Sequence, residues 1–409
     1  MLRRVNFYSI CLAFGLSVLL ILAGSRYADS PYYYRPSMES RRNVRNFLKV
    51  EDGEATQNIP TIPYDGSPDI RKLLEKTRSQ INYQLYKYNF SLSGAHVLDD
   101  LVLESGGRPL QSLIISTWRS GTTFLGELLN AIPGTYYHYE PLLKYGIIQI
   151  RGPPASDQAL STIKDMLKCN YEGLDDYFEF GSKNIHQFNH NTRLWDHCKY
   201  KKDLCYDADF TSRLCKLFPF HTMKVVRLRL RLVQEILDDK ELNVKVILLI
   251  RDPRGVMQSR QHRDFCQPSP DCWEPSLVCA DMISDYVAAG RILQEYPGRL
   301  MVLRYEELAL KPNITAHRIL KFLKLSPTPS LDVFLQSHTN VEVAGVSSTF
   351  RVSRHVPFRW KYTLAYNYVD EIQMACKEAM LLWGYKMAYN STHMTSKDFN
   401  PLDDYTISQ

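Results

Sequence analysis

The sequence predicts an α/β fold: a P-loop-like parallel sheet flanked by helices, preceded by a single N-terminal transmembrane anchor and a stem. Three observations carry this reading. Residues 112–116 and 244–250 are continuous apolar runs of the length and composition of buried parallel strands. Each run ends in a turn rich in hydroxyl or cationic side chains. Behind the first turn, residues 124–129 take up a helical apolar period, so strand, tight turn and helix start follow one another.

The first turn reads Arg119-Ser120-Gly121-Thr122-Thr123-Phe124-Leu125. A strand–turn–helix corner aims several backbone N–H groups at one point, and the helix dipole adds positive potential there. Arg119 contributes a full charge whose guanidinium forks onto phosphate or sulfate. The turn is therefore a candidate anion site. It is not a Walker-A loop, which needs a glycine and a lysine where this chain has Ser116 and Thr122. The bland alternative is a corner that binds nothing.

A second edge weighs against that alternative. The run 244–250 delivers Arg251, Asp252, Pro253, Arg254 and, a helical turn later, Ser259 to the C-terminal end of a predicted strand. Open α/β sheets bind ligands at that end. Two such edges point to one ligand with two separate anionic groups. A third strand is expected over 134–139 and another over 300–305, with Glu306 and Glu307 at its edge.

These segments together resemble the Golgi carbohydrate 6-O-sulfotransferases that act on galactose, N-acetylgalactosamine or N-acetylglucosamine. The likeness runs through Thr117 to Phe124, Gly126-Glu127-Leu128-Leu129-Asn130, Tyr139-Glu140-Pro141, the Arg251 to Arg260 segment and Arg304-Tyr305-Glu306-Glu307-Leu308, and on to Trp360, Cys376 and Gly384-Tyr385. It spans roughly residues 110 to 388. The resemblance implies a donor, 3′-phosphoadenosine 5′-phosphosulfate (PAPS). Arg119 to Leu125 would cradle its 5′-phosphosulfate, and Arg251 to Ser259 its 3′-phosphate. It also implies a glycan or proteoglycan acceptor and transfer to a sugar 6-hydroxyl, with N-acetylglucosamine the first choice.

Such a transfer needs a base for the hydroxyl proton. Glu140 is the candidate, at the end of the predicted 134–139 strand and beside a wall of tyrosines that would raise its pKa. Arg119 joins it as a catalytic residue by neutralising the leaving group. His138 is the rival base, and on a strand it shares a face with position 140. No metal is expected: no carboxylate cluster or Cys-x₂₋₄-Cys pair with ligand spacing is present.

The remaining chain is read as surroundings. Residues 5–24 form a charge-free apolar run long enough to cross a bilayer, with Arg3 and Arg4 before it, which implies a single-pass type II membrane protein, and the resemblance implies that the membrane is that of the Golgi. A cleavable signal peptide ending near Ala23 is the alternative. Residues 25–107, punctuated by prolines, read as a lumenal stem, within which 70–88 carry a helical period suited to packing on the domain. The catalytic domain is placed at 108–409. Eight cysteines follow the anchor, an even number that permits four disulfides in an oxidising lumen, and Asn89, Asn313 and Asn390 lie in glycosylation sequons.

Segment 151–221, with the weakest periodicity, is assigned to the acceptor side. Residues 367–384 read as a helix opened by an Asn367–Asp370 capping box, with Ile372, Ala375, Cys376, Ala379 and Trp383 facing the core. With a net charge of +6 and no dense basic run, nucleic-acid binding is not expected. A homo-oligomer is compatible with the sequence. The competing functions are a non-catalytic glycan-binding protein that retains this fold and a nucleotide kinase. The kinase is disfavoured by the missing lysine, and the binder by the presence of Arg119, Glu140 and Arg251.

Overall fold

Five parallel strands form the centre of the computed structural model, which describes residues 69–261, 263–343 and 349–407. The anchor predicted over 5–24 and most of the stem lie outside the described residues. Among those residues no helix is long and apolar enough to cross a membrane.

The described chain opens with α1 (Ile70–Leu85), whose first turn is capped by the Asp69 carboxylate accepting from the Lys72 amide. Leu74, Ile81 and Leu85 recur on one face and are buried in the main core. From Ser67 onward the chain is one compact unit. Residues 70–85, expected within the stem, thus use their apolar stripe in packing on the domain core.

The strands are β1 (Leu110–Ile115), β2 (Thr135–Tyr139), β3 (Phe220–Val225), β4 (Val244–Ile250) and β5 (Leu300–Arg304), in the spatial order β2-β3-β1-β4-β5. Every residue of β1 is buried, as a central strand covered on both faces requires. In register, Ile115 lies beside Val225 of β3 and Leu248 of β4. All five C-terminal ends thus open toward one rim. Sequence pattern pointed to β1, β2, β4 and β5 but not to β3, where His221, Thr222 and Lys224 interrupt the apolar run yet are buried.

Five helices matter for the rim. They are α2 (Thr122–Asn130), α3 (Pro253–Arg260), α4 (Pro275–Glu295), α5 (Pro329–Asn340) and α6 (Tyr366–Ala375). Helix α6 begins at Tyr366 with extended Ala365 as its cap, so Asn367 lies in the first turn and the predicted capping box does not form. The helix also breaks at Cys376 and resumes over Lys377–Leu382. Ile372, Cys376, Ala379 and Trp383 are buried as expected, whereas Ala375 is exposed.

Four disulfides join Cys169–Cys215, Cys198–Cys205, Cys266–Cys272 and Cys279–Cys376. The first two lie within the 151–221 segment, which folds as short helices. At the far edge of the sheet, Arg304 donates to the carbonyls of Gly384 (3.0 Å) and Asp403 (2.7 Å). Tyr286 of α4 donates to the Thr406 carbonyl at 2.6 Å, so the last described residues are part of the packing.

Candidate active site

Along the rim the strand ends present, in order, Glu140 after β2, Lys224 and Arg227 at and beyond β3, Arg119 after β1, Arg251 after β4 and Tyr305 after β5. All of them line a single cavity of about 600 Å³.

The turn after β1 is shaped by two left-handed residues, Arg119 (φ 69°) and Gly121 (φ 90°). Gly121 is required twice over. Its φ disfavours a side chain, and a Cβ there would lie 2.4 Å from the Tyr305 ring. Arg119 Nε donates to Ser259 Oγ at 3.1 Å, and the Arg119 carbonyl accepts from Arg251 Nη1 at 2.6 Å. The two predicted anion-binding edges are thus knitted into one surface.

Burial, with the charges of Arg263 and Arg251 nearby, pushes the Arg119 guanidinium down to about 10, so it remains a cation at neutral pH. Arg251 stacks 4.6 Å over the Tyr305 ring, and its buried Nε has no partner. The Ser120 hydroxyl is likewise buried without one. Orphaned donors at a glycine-turned corner suit a phosphate or sulfate oxygen.

Thr122, Thr123, Phe124 and Ser259 also line the cavity. Five residues of the predicted donor set do not. Leu125 is a core residue, Ser120 is 1% exposed, and Asp252, Pro253 and Arg254 turn inward. Asp252 caps α3 by accepting from the Arg254 amide at 2.9 Å and also holds the Arg254 guanidinium at 2.8 Å. Arg254 Nη1 donates to Gln373 Oε1 at 2.9 Å, and the guanidinium stacks 4.0 Å over Trp360. Its fork is occupied inside the core, a placement that corrects its assignment to the donor.

Glu140 has φ 49° and is 5% exposed. Its surroundings differ from the predicted apolar wall. One oxygen accepts from Lys224 Nζ and the other from Arg227 Nη1, each at 2.8 Å. Lys224 Nζ also donates to Thr123 Oγ1 at 3.3 Å and lies 4.2 Å over the Tyr139 ring, linking the carboxylate to the anion turn.

Sequence reading missed both cations. A lysine inside the run 220–226 followed by Arg227 was the available signal, since a charge on a buried strand needs a partner.

His138 does not share the face of Glu140, because the left-handed Glu140 ends the strand alternation. Its Nδ1 meets the Tyr171 hydroxyl at 3.1 Å inside the core, and burial pushes its pKa well below the ordinary value. His138, Cys215 and His221 have ligating atoms within 4.8 Å of one another, but Cys215 is bonded to Cys169 and offers no thiolate. Among the described residues, none of segment 151–221 lines the cavity, although the sequence reading set this segment on the acceptor side.

Among the described lining residues, seven arginines and lysines face a single carboxylate, Glu140. A cavity so unbalanced, at the head of a parallel sheet, belongs to an enzyme of the α/β class that handles a multiply anionic small molecule.

Comparison with known proteins is more specific. The family model described as "Sulfotransferase domain" matches residues 109–384, and the chain belongs to that family. The chain is 25% identical over 328 residues to mouse carbohydrate sulfotransferase 4, covering 69% of this chain and 83% of that protein. It is 26% identical over 353 residues to mouse carbohydrate sulfotransferase 1, covering 72% and 85%. Against the solved sulfotransferase domain of the Synechococcus PCC 7002 olefin synthase it shows 20% identity and a TM-score of 0.36. The match covers 66% of this chain and 95% of that one, a likeness too loose to add to the assignment.

Proposed function

We propose that this protein transfers a sulfuryl group from PAPS to the 6-hydroxyl of a sugar in a glycan or glycosaminoglycan, with N-acetylglucosamine the first acceptor to test and galactose or N-acetylgalactosamine after it. The observation that carries the reading is the rim itself. Donor-type anion sites on β1 and β4 and a clamped carboxylate after β2 face one cavity, joined by Lys224. The carbohydrate sulfotransferases it resembles support a sugar acceptor. A Golgi location with a type II anchor over 5–24 is part of the same proposal.

PAPS supplies an activated sulfuryl group whose transfer leaves 3′-phosphoadenosine 5′-phosphate (PAP). In this chain Arg119, the amides of Gly121 to Thr123 and the Thr122 and Thr123 hydroxyls hold the phosphosulfate end. Arg251 and Ser259 hold the other phosphate. Lys224, between Thr123 and Glu140, neutralises charge on the leaving oxygen. Glu140 accepts the acceptor's hydroxyl proton through a lone pair not used by Lys224 or Arg227.

Purified protein incubated with radiolabelled PAPS and a panel of N-acetylglucosamine-, galactose- and chondroitin-type acceptors tests the reading. Label should appear at the 6-oxygen of one acceptor. PAP binding without transfer to any sugar would instead favour a glycan-binding protein on a retained transferase fold.

A further inference from the structure

One short segment grips Arg119 from three sides. Ser259 Oγ accepts from its Nε at 3.1 Å, and Arg251 Nη1 donates to its carbonyl at 2.6 Å. The third grip comes from Arg260, the last residue of α3, and falls on the residue in front. Arg260 Nε and Nη2 both donate to the Trp118 carbonyl, at 3.2 and 2.9 Å. Nη2 also donates to Thr117 Oγ1 at 2.7 Å, and Nη1 to the carbonyls of Cys272 at 2.7 Å and Asp271 at 3.5 Å. The peptide groups before and after Arg119 are therefore both held by guanidinium donors. An arginine at φ 69° occupies a conformation that side chains disfavour, and such a residue persists where its surroundings over-determine it.

Arg260 is an uncommon kind of buried cation. It is 2% exposed, yet each of its hydrogen bonds ends on a neutral oxygen. Among the described residues no carboxylate forms an ion pair with it. The charges that act on it are Arg229, Arg119 and Arg251 against Asp281, and Asp281 is itself bonded to Arg151 at 2.7 Å. The Tyr368 hydroxyl of α6 also feels its charge. Burial, with Arg229, Arg119 and Arg251 adding to it, pushes the Arg260 guanidinium down to about 9, so it remains a cation at neutral pH. Buried charges are ordinarily paired, and an apolar side chain of like size is often the more stable choice. A charge kept here asks for a use beyond packing.

We propose that Arg260 is a positioning residue of the donor site: its fork on the Trp118 carbonyl sets the left-handed Arg119 before the donor arrives, and its charge, balanced by no carboxylate, takes the donor's anionic groups as counter-ion without touching them. This rests on the reading of the cavity as a site for PAPS. It adds to the donor machinery a residue whose side chain is spent entirely on the backbone behind the anion turn.

Calorimetric titration of PAP into full-length wild type, Arg260→Gln and Arg260→Lys tests this, with kinetics and Tm on the same preparations. Arg260→Gln should weaken PAP roughly tenfold or more while the acceptor KM stays level. Arg260→Lys keeps the charge, loses the fork and should recover part of that affinity. A buried lysine gives up its proton far more readily than arginine. The ratio of lysine-variant to wild-type PAP affinity should therefore fall as pH rises from about 6 to about 9, with the protonated form the tighter binder.

A folded Arg260→Gln protein with lower Tm but unchanged PAP affinity overturns the proposal, because Arg260 would then serve the scaffold alone. Equal losses in PAP affinity and acceptor KM overturn it too, as general damage to the cavity. Should Arg260→Gln not fold, the lysine variant decides: a PAP affinity ratio that is flat across the pH range is equally fatal. Wild type that binds PAP and transfers no sulfate would remove the transferase reading and leave the Arg260 comparison standing. Normal transfer with normal PAP affinity in Arg260→Gln would do the reverse.

Discussion

Glu140→Gln is the most discriminating substitution in this molecule, because it bears on three separate observables, two expected to fall and one to hold or rise. The carboxylate neutralises two cations nearly sealed from water, with side-chain exposures of 3% for Lys224 and 2% for Arg227. Removing one partner of a buried pair costs about 3–5 kcal/mol. Glutamine keeps an acceptor for one cation and turns an amide N–H₂ toward the other, so a loss of about 2–3 kcal/mol is expected. At about 2–4 °C per kcal/mol, Tm should drop by roughly 5–10 °C.

The same change adds net positive charge to a cavity built for anions, so PAP affinity should stay level or rise. Loss of the base should lower kcat by about 10²–10⁴-fold. Scanning calorimetry, PAP titration and single-substrate kinetics on one preparation read all three. A kcat within a few-fold of wild type would refute the assignment of Glu140 as base. PAP affinity falling in step with the rate would reduce Glu140 to an organiser of the donor site. His138→Gln, with its ring inside the core, should leave kcat within a few-fold.

The two arginines of the β4 edge should separate cleanly. Arg251→Ala should weaken PAP binding by about 2–3 kcal/mol, a charged hydrogen bond's worth, whereas Arg254→Ala should lower Tm through the stranded Asp252 while PAP affinity changes little; the opposite pattern would reverse their placement. Glu306, fully buried and accepting from the Asp252 amide and the Tyr385 hydroxyl, has its pKa pushed from the ordinary 4.5 up to about 7 by burial and the Asp252 charge. Its stabilising contribution is therefore complete below pH 4.5 and lost as pH rises through 7, so the stability of Glu306→Gln relative to wild type should climb across that window in denaturant titrations. Among the disulfides, opening Cys279–Cys376, which spans 97 residues, should cost about 4–5 kcal/mol, against about 2 for Cys198–Cys205 with a separation of 7. Equal losses from paired serine variants in urea would contradict this ranking.

What was readable in the sequence follows from how each residue does its work. Strands β1 and β4 announced themselves because they are central and buried, with unbroken apolar stretches at Leu113–Ile115 and Val246–Ile250. The strand–turn–helix corner after β1 was legible because glycine and hydroxyls between a buried strand and a helical period mark such a turn. Strand β3 was not legible, since its polar side chains are satisfied only by partners far along the chain: Ser112 for Thr222, Glu140 for Lys224. Arg251 and Arg254 are chemically identical in a linear text. Only the start of α3, with Asp252 folding back over its first turn, sends one to the cavity and the other to the core. Likewise the alternation rule for positions 138 and 140 failed at the single left-handed residue that ends β2.

The clasp at the far sheet edge bears on how the chain is made. Arg304 finds its acceptors at residues 384 and 403, and Tyr286 finds its own at 406. A ribosome delivers those carbonyls after nearly all of the cavity's own residues. During synthesis, strand β5 must wait with a buried-to-be guanidinium still seeking acceptors, and Cys279 must wait for Cys376. The nascent protein thus acquires its anion-binding rim before it acquires the closure that fixes that rim. Truncations or fusions at the C-terminus should accordingly be felt first in folding yield and stability, before any cavity-lining residue is touched.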